Sequence, residues 1–199
     1  QTWVKGWLYS DPNKVKYINS SEADYSDNTN TLFLQQGHLW PYHRALEIYR
    51  CPSDKSTAIF EGVAYPRARS VSMNNWLSNE ERRWGVEEFR VFKKLSEIAS
   101  ERPSLTWVFL DEREDSINDA CFSVDMIGEG STTLLIDFPG SYHNGAGNFS
   151  FANGHAETRR WLDPRTKPPL KRGVDLDLFV PTPHNPDVAW LQERTTMRR

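Results

Sequence analysis

The densest run of polar side chains in the sequence is an acidic stretch that directly follows an apolar segment. It offers five oxygen donors, namely Asp111, Glu112, Asp115, Asn118 and Asp119. Carboxylate and amide oxygens crowded into one loop are the ligands that a hard cation such as Ca²⁺ prefers. The stretch lacks the central glycine and the distal glutamate of an EF-hand loop. A solvated acidic turn, whose side chains cap backbone groups, has the same composition, so both interpretations stay open.

A second polar cluster combines two histidines with glycine-rich turns. Its members are His143, Asn144, Gly145, Asn153, Gly154 and His155. If the loop folds back, the two histidines could bind zinc together with a third ligand such as Asp137 or Cys121. Nothing in the spacing demands that ligand set. We favour the alternative, in which His143 makes a hydrogen bond to the backbone within a tight turn.

The signals for catalysis or carbohydrate binding are weaker. Ser141, His143 and Asp111 can be combined into a Ser–His–Asp triple, but the sequence has no Gly-x-Ser-x-Gly nucleophile elbow. Glu112 with Asp137 is an equally unsupported carboxylate pair for glycoside hydrolysis. The eight tryptophans could form a platform that stacks on sugars, although packing in the core is the favoured use of such rings. The sequence therefore assigns no catalytic residue.

The chain contains two cysteines, Cys51 and Cys121. They are either two buried free thiols or one disulfide. Such a bridge would close a loop of about 70 residues and stabilise the fold by roughly 4 kcal/mol. It would also imply an oxidising, extracytoplasmic compartment.

Short strands and turns must position these groups. β-branched and aromatic residues predict a buried strand over 106–110, immediately before the acidic stretch, and a strand over 69–75. Further short strands are predicted over 122–126 and 133–138. Strict alternation over 148–151 leads into Asn153-Gly154, which predicts a two-residue hairpin turn and a return strand over 155–161. Phe149 and Phe151 should then share one face.

Helices are predicted to be few and short. Residues 31–49 have apolar residues at helical spacing and should form one or two short helices that end at Cys51-Pro52. A helical turn is expected over 95–98, and a last helix over 187–195 begins at Asn185-Pro186. The charged segment 79–90 is either a solvated helix or an insertion, and residues 1–30 are mostly loop.

Length and composition favour one domain, with 199 residues and 13% aromatic residues. We divide it into a globular head over 1–163 and a proline-rich tail over 164–199 that wraps the same domain. The net charge of −3 argues against nucleic-acid binding, which needs a basic surplus. The longest apolar runs have four residues or fewer, so the sequence predicts no membrane-spanning segment.

Residues 141–155 resemble the pilin-related proteins called type II secretion G-like pseudopilins, which carry a carboxy-terminal motif of His, nine residues and Asp-Gly. His143 and Gly154 match this motif, whereas Asn153 stands where the family has Asp. Three other segments, 49–55, 69–74 and 111–119, are similar to the same group, and the resemblance runs from about Trp3 to Trp190. If position 153 only sets a turn, Asn serves as well as Asp, since both tolerate left-handed φ.

The resemblance implies an α+β, pilin-like head: an antiparallel β-sheet with short helices, long loops and an extended carboxy-terminal tail. It also implies an apolar amino-terminal helix, absent from this sequence, that anchors the subunit in the inner membrane and later packs into a filament. The head would then be extracytoplasmic, in the periplasm or at the cell surface, which favours the Cys51–Cys121 disulfide. Some major pseudopilins bind calcium near their carboxy end, which makes the acidic stretch a candidate calcium site.

The resulting hypothesis is a non-enzymatic head domain whose partners are other pilin or pseudopilin subunits. It would act in filament assembly or surface display. The alternative from another class is an extracellular glycan-binding module, which requires exposed coplanar Trp or Tyr rings in a groove. A hydrolase is the third alternative, and it requires a pocket where Asp111, Asp137, His143 or His155 converge.

Overall fold

The computed structural model describes residues 3–10, 25–60, 63–77 and 87–199. Within them the fold is a mixed α/β arrangement of short strands and a few short helices. Most of the charged segment predicted over 79–90, and much of the loop predicted over 1–30, lie outside the described residues.

A five-stranded sheet lies at the centre of the fold. Its strands, in spatial order, are β5 (Cys121–Phe122), β3 (Val71–Asn74), β4 (Trp107–Asp111), β7 (Ala146–Phe151) and β8 (Ala156–Arg160). The strands predicted over 69–75 and 106–110 are thus confirmed. β3 and β5 are parallel, whereas the other neighbours are antiparallel. This parallel pair departs from the expected antiparallel sheet because the acidic stretch carries the chain from β4 across to the far edge of β3.

Two further pairs of strands lie outside this sheet. They are β1 (Thr57–Phe60) with β2 (Val63–Pro66), and β6 (Leu134–Leu135) with β9 (Val180–Pro181). The strands predicted over 122–126 and 133–138 are therefore too long. The carboxylate of Asp125 accepts hydrogen bonds from the backbone N–H groups of Ile127, Gly128 and Leu134, which folds this part of the chain into a turn.

The helices are short, as predicted. They are α1 (Leu32–Gln35), α2 (Trp40–His43), α3 (Leu95–Ala99) and α4 (Pro186–Thr195). Glu47–Tyr49 forms a 3₁₀ turn before Cys51. The sequence located the start of α4 correctly, because the side chain of Asn185 accepts from the N–H groups of Asp187 and Val188 and Pro186 occupies the first turn.

The β7–β8 hairpin has the predicted strands but a different turn. Ser150 pairs with Ala156, and the N–H of Phe151 donates to the carbonyl of His155 over 2.9 Å. Three residues, 152–154, therefore lie outside the ladder, rather than two. Gly154 takes the positive φ of 91° that reverses the chain. Phe149 and Phe151 share one face and are both buried.

Apolar side chains cover both faces of the sheet. One cluster contains Trp107, Leu110, Phe149 and Phe151 and includes Leu191 of α4. The other lies on Phe109 and consists mainly of residues from the amino-terminal third, namely Trp3, Val4, Leu34 and Tyr49. Adjacent residues of β4 thus point to opposite clusters, which is the alternation expected of a strand buried on both sides. The tail predicted over 164–199 supplies α4 to the first cluster.

Among the described helices, none combines the length and the apolar composition that crossing a bilayer requires.

Candidate functional site

Three segments that are distant in sequence meet at the end of β4. They contribute Cys51, which follows the 3₁₀ turn, Asp111, which is the last residue of β4, and His143, which lies in the turn before β7. One ligand atom from each residue lies within 4.8 Å of the other two. Among the described residues, this is the group of histidine, cysteine and carboxylate side chains whose spacing suits a metal ion.

The backbone holds Cys51 against the start of β3. The N–H of Cys51 donates to Ser70 Oγ over 2.8 Å, and the N–H of Ser70 donates to the carbonyl of Tyr49 over 3.0 Å. Asp54 N–H donates to the carbonyl of Cys51, which closes the next turn. The thiol is therefore placed by two hydrogen bonds on one side and a turn on the other.

Asp111 is fixed by its neighbour on β7. In the register of β4 and β7, Leu110 pairs with Phe149, which places Asn148 beside Asp111. The N–H and Nδ2 of Asn148 donate to Asp111 Oδ2 over 3.3 and 3.0 Å. Gly140 approaches so closely that a Cβ there would lie 2.8 Å from Asp111 Cβ, so this contact requires glycine.

The turn that carries His143 contains two left-handed residues, Asn144 at φ 54° and Gly145 at φ 77°. The N–H of Gly145 donates to the carbonyl of Ser141, and the N–H of His143 donates to that of Ala146. The favoured interpretation, in which His143 makes a backbone hydrogen bond within a tight turn, agrees with its N–H bond to Ala146. The sequence did not reveal that the His143 ring faces the side chains of Cys51 and Asp111.

His143 Nε2 is the common contact of the other two residues. It lies 3.2 Å from Cys51 Sγ and 3.5 Å from Asp111 Oδ2. Cys51 and Asp111 are buried, while 31% of the His143 side chain is exposed. The site is thus closed by the protein on two sides and reaches solvent past the imidazole.

Burial controls the charge of the two inner groups. It raises the pKa of the Cys51 thiol, and the nearby Asp111 carboxylate raises it further. Burial also raises the pKa of Asp111, although hydrogen bonds from Asn148 and the proximity of His143 oppose this rise. Burial therefore favours the protonated, uncharged form of both inner groups.

This geometry does not suit a nucleophilic cysteine. In a Cys–His–Asp arrangement, the carboxylate contacts one ring nitrogen and the thiol contacts the other. Here both contact Nε2. A reactive cysteine also needs a depressed pKa, whereas that of Cys51 is raised. Sulfur, nitrogen and oxygen converging on one point are instead the donor set of a zinc site.

Comparisons of the chain with models of known protein families, with curated proteins and with solved structures give no match. The similarity to pseudopilins therefore stays a prediction from the sequence motifs. The chemistry of the site follows from its own residues.

The other members of the acidic stretch have internal partners. Arg113 donates from Nε and Nη2 to both carboxylate oxygens of Asp115, over 2.8 and 2.7 Å. Asp119 Oδ1 accepts from the N–H of Cys121, and Asn118 Oδ1 accepts from the N–H of Asp119. The bonds of Asn118 and Asp119 match the alternative of a turn whose side chains cap backbone groups. The turn is not solvated as expected, because residues 111–117 are buried. A calcium site at this stretch stays a prediction.

Glu112 belongs to a separate group of buried charges that includes Arg69 and Asp137. Its Oε1 accepts from Ser116 Oγ over 2.9 Å. Burial raises the pKa of Glu112 well above its ordinary value, and the nearby Asp137 adds to the rise. Burial likewise raises the pKa of Asp137 to about 8. Because these groups are enclosed, they contribute to the core rather than to a surface site.

The two histidines of the second cluster do not meet. His143 precedes β7 and His155 precedes β8, so they lie at opposite ends of the hairpin, separated by roughly 15–20 Å. The His155 ring stacks on Phe151, with 4.3 Å between ring centroids, and its Nδ1 contacts Asn153 Oδ1. The zinc site considered from both histidines is therefore wrong. Of the four residues named for a hydrolase pocket, Asp111 and His143 meet, whereas His155 lies apart from them.

Both cysteines are free and buried, so the predicted Cys51–Cys121 disulfide is not formed. Cys121 lies in β5, which pairs with β3 on the side away from β4. Cys51 lies beside Asp111 at the end of β4. The width of β3 separates the two thiols, and sequence spacing alone could not reveal this.

Most tryptophan rings are used for packing. Trp3, Trp76, Trp107 and Trp161 are buried, and the other tryptophans among the described residues are partly buried. Trp3 stacks on Tyr49, but this pair belongs to the buried cluster over Phe109. No specific observation on the described residues favours a sugar-stacking platform.

Proposed function

We propose that the chain is the non-enzymatic head of a pseudopilin-like subunit, which acts in filament assembly or surface display. In this role the head would be extracytoplasmic, and its contact with the membrane would be through an amino-terminal helix alone. The sequence motifs over 49–55, 69–74 and 141–155 suggest the role. An open apolar groove on the central sheet supports it.

This groove lies on the sheet face that also carries the amino-terminal residues. Its volume is about 320 Å³, and it is lined mainly by apolar side chains, among them Trp3, Ile48, Tyr49, Val71 and Phe109. The opposite face is covered by α4, whose Leu191 lies in the main cluster. Among the described residues, one face of the sheet is thus only partly covered, beside Trp3.

An apolar helix that leads into Trp3 fits this position. Trp3 lines the groove and is anchored by the bond from its Nε1 to the carbonyl of Ala120, over 2.6 Å, so a helix that precedes Trp3 would lie beside the groove. Ile48 is 57% exposed and extends the apolar surface of the groove, and contiguous apolar surface is typical of an interaction site. A pilin-like subunit packs its helix along the sheet of its head, and we propose the groove for that contact.

We propose a non-enzymatic role because of two features of the site. The thiol of Cys51 is buried with a raised pKa, and Asp111 contacts the same ring nitrogen of His143. The enclosed carboxyls of Glu112 and Asp137 are inaccessible to a substrate. These groups organise the fold of the head in the proposed role.

Fractionation of host cells that express the full-length gene product tests the proposal. We expect the wild-type protein in the membrane fraction and in sheared surface filaments. Ile48→Glu should reduce the sheared-filament fraction at least several-fold, because it places a charge in the groove. Leu162→Glu is the control, because Leu162 is similarly exposed, at 62%, and does not line the groove. A freely diffusing cytoplasmic protein, or equal behaviour of both variants, would overturn the proposal.

A further inference from the structure

We propose that Cys51, Asp111 and His143 bind one zinc ion, with water in the fourth position. This site goes beyond the role in assembly and does not depend on it. The donor atoms are Cys51 Sγ, Asp111 Oδ2 and His143 Nε2, and together they form the sulfur, oxygen and nitrogen set that zinc takes in proteins. Calcium would not select such a set, since it prefers oxygen ligands alone.

The measured separations suit a tetrahedral ion. Zinc bonds of about 2.0–2.3 Å at tetrahedral angles place neighbouring donor atoms roughly 3.3–3.6 Å apart. In the structure, Nε2 lies 3.2 Å from Sγ and 3.5 Å from Oδ2. These two separations match the tetrahedral values, and the third, between Cys51 Sγ and the Asp111 carboxylate, is no more than 4.8 Å. Hydrogen bonds between the side chains would not by themselves require the three ligand atoms to converge on one point.

Charge also favours a divalent cation. A thiolate and a carboxylate contribute two negative charges, and a neutral imidazole contributes none, so Zn²⁺ makes the site neutral. Among the described residues, the basic side chain within 4.0 Å of the Asp111 carboxylate is His143. A zinc ion together with these ligands carries no net charge, and burying such a neutral group costs less free energy than burying separate charges.

The supports around the ligands belong to rigid parts of the fold. Asn148 donates twice to the ligating carboxylate, and Ser70 holds the backbone of Cys51. Such outer contacts orient metal ligands and raise affinity. His143 is partly exposed, so a water molecule can reach the fourth position from solvent. A bound ion would also link three segments that are far apart in the sequence.

Cobalt(II) is the probe for this site, used with metal-free protein whose thiols are kept reduced. We expect a thiolate-to-cobalt charge-transfer band in the near ultraviolet and the intense visible bands of tetrahedral cobalt. Addition of zinc should remove both. Cys51→Ser should lose the charge-transfer band. Asn148→Ala should weaken binding by about 10–100-fold through its support of Asp111.

Two controls separate this site from incidental binding. Cys121→Ser removes the other buried thiol, and His155→Gln removes a histidine at the far end of the hairpin, so both should retain the full spectrum. Circular dichroism checks that each variant folds, and zinc should raise the melting temperature of the wild type but not that of Cys51→Ser. A wild type with no charge-transfer band, or a band that survives Cys51→Ser, would overturn the proposal.

Discussion

His143 Nε2 lies 3.2 Å from Cys51 Sγ, although 92 residues separate the two in the chain. The contact exists because β4 lies between β3 and β7. Cys51 is bound to the residue before β3, and His143 precedes β7. The order of the strands in the sheet, rather than any local motif, therefore creates the site.

Zinc should protect Cys51 from alkylation. In the metal-free protein we expect slow labelling of Cys51, because it is buried, and slower labelling of Cys121, whose pKa is raised to about 12 by burial. Bound zinc should reduce labelling of Cys51 at least tenfold, since coordination draws electron density from the sulfur and holds it inside the site. Peptide mapping by mass spectrometry measures both sites in one sample, and Cys121 is the internal control. Equal protection of both thiols would indicate a general change in stability instead.

Asp137 should make the protein less stable as pH rises. Burial raises its pKa from 3.8 to about 8, so between these values the folded state holds a proton that the unfolded state has released. Stability contributed by this proton is full below about pH 4 and is lost as pH approaches 8. The nearby carboxylate of Asp119 acts in the same direction, because its negative charge also raises the pKa of Asp137.

Asp137→Asn tests this effect, because an amide oxygen can still accept the bond from the Ser123 N–H. We expect a weaker dependence of melting temperature on pH and a melting temperature at least about 2 °C higher near pH 8. Asp177→Asn, which makes the same change at an exposed position, is the control. If both variants follow the same curve, the carboxyl of Asp137 does not carry the effect.

Local patterns predicted the elements whose signals lie within a few residues. Alternation over 148–151 predicts that Phe149 and Phe151 of β7 share one face, and Asn185-Pro186 predicts the first turn of α4. Both depend on short-range chemistry, which is visible in sequence.

The site depends on contacts that only the folded chain reveals. The sequence combines Asp111 with His143 as a possible Ser–His–Asp triple but not as metal ligands, and it pairs Cys51 with Cys121. The closely spaced carboxylates suggest one ligand set in the sequence. In the structure, Asp115 instead pairs with Arg113, a basic residue within the same run. For the third ligand, the sequence shows only that Cys51-Pro52 ends a helical segment. It does not indicate that Cys51 lies beside the end of β4.

The hydrogen bond between Trp107 and Thr195 should fasten α4 to the sheet. Trp107 Nε1 donates to Thr195 Oγ1 over 3.0 Å, and both side chains are fully buried. Thr195→Val leaves a buried N–H without an acceptor, which should cost about 1–3 kcal/mol in the free energy of unfolding. Urea denaturation measures this loss.

A double-mutant cycle isolates that bond. In a Trp107→Phe background the indole N–H is absent, so Thr195→Val should cost at least about 0.5 kcal/mol less than in the wild type. The second bond of Thr195, to the carbonyl of Leu191, is lost in both backgrounds and cancels. Equal costs would show that the indole bond does not hold the helix.

Position 153 should accept either Asn or Asp. Asn153 has a negative φ, and its Oδ1 accepts from the N–H of His155, a role that a carboxylate oxygen can also fill. Asn153→Asp should therefore change the free energy of unfolding by less than about 0.5 kcal/mol. Gly154→Ala should cost roughly 1–2 kcal/mol, because Gly154 has φ 91° and an added Cβ meets nothing within 4 Å, so the cost is conformational. Denaturation of both variants compares the two positions directly. A large loss from Asn153→Asp alone would mean that charge at this turn, rather than its geometry, matters to the hairpin.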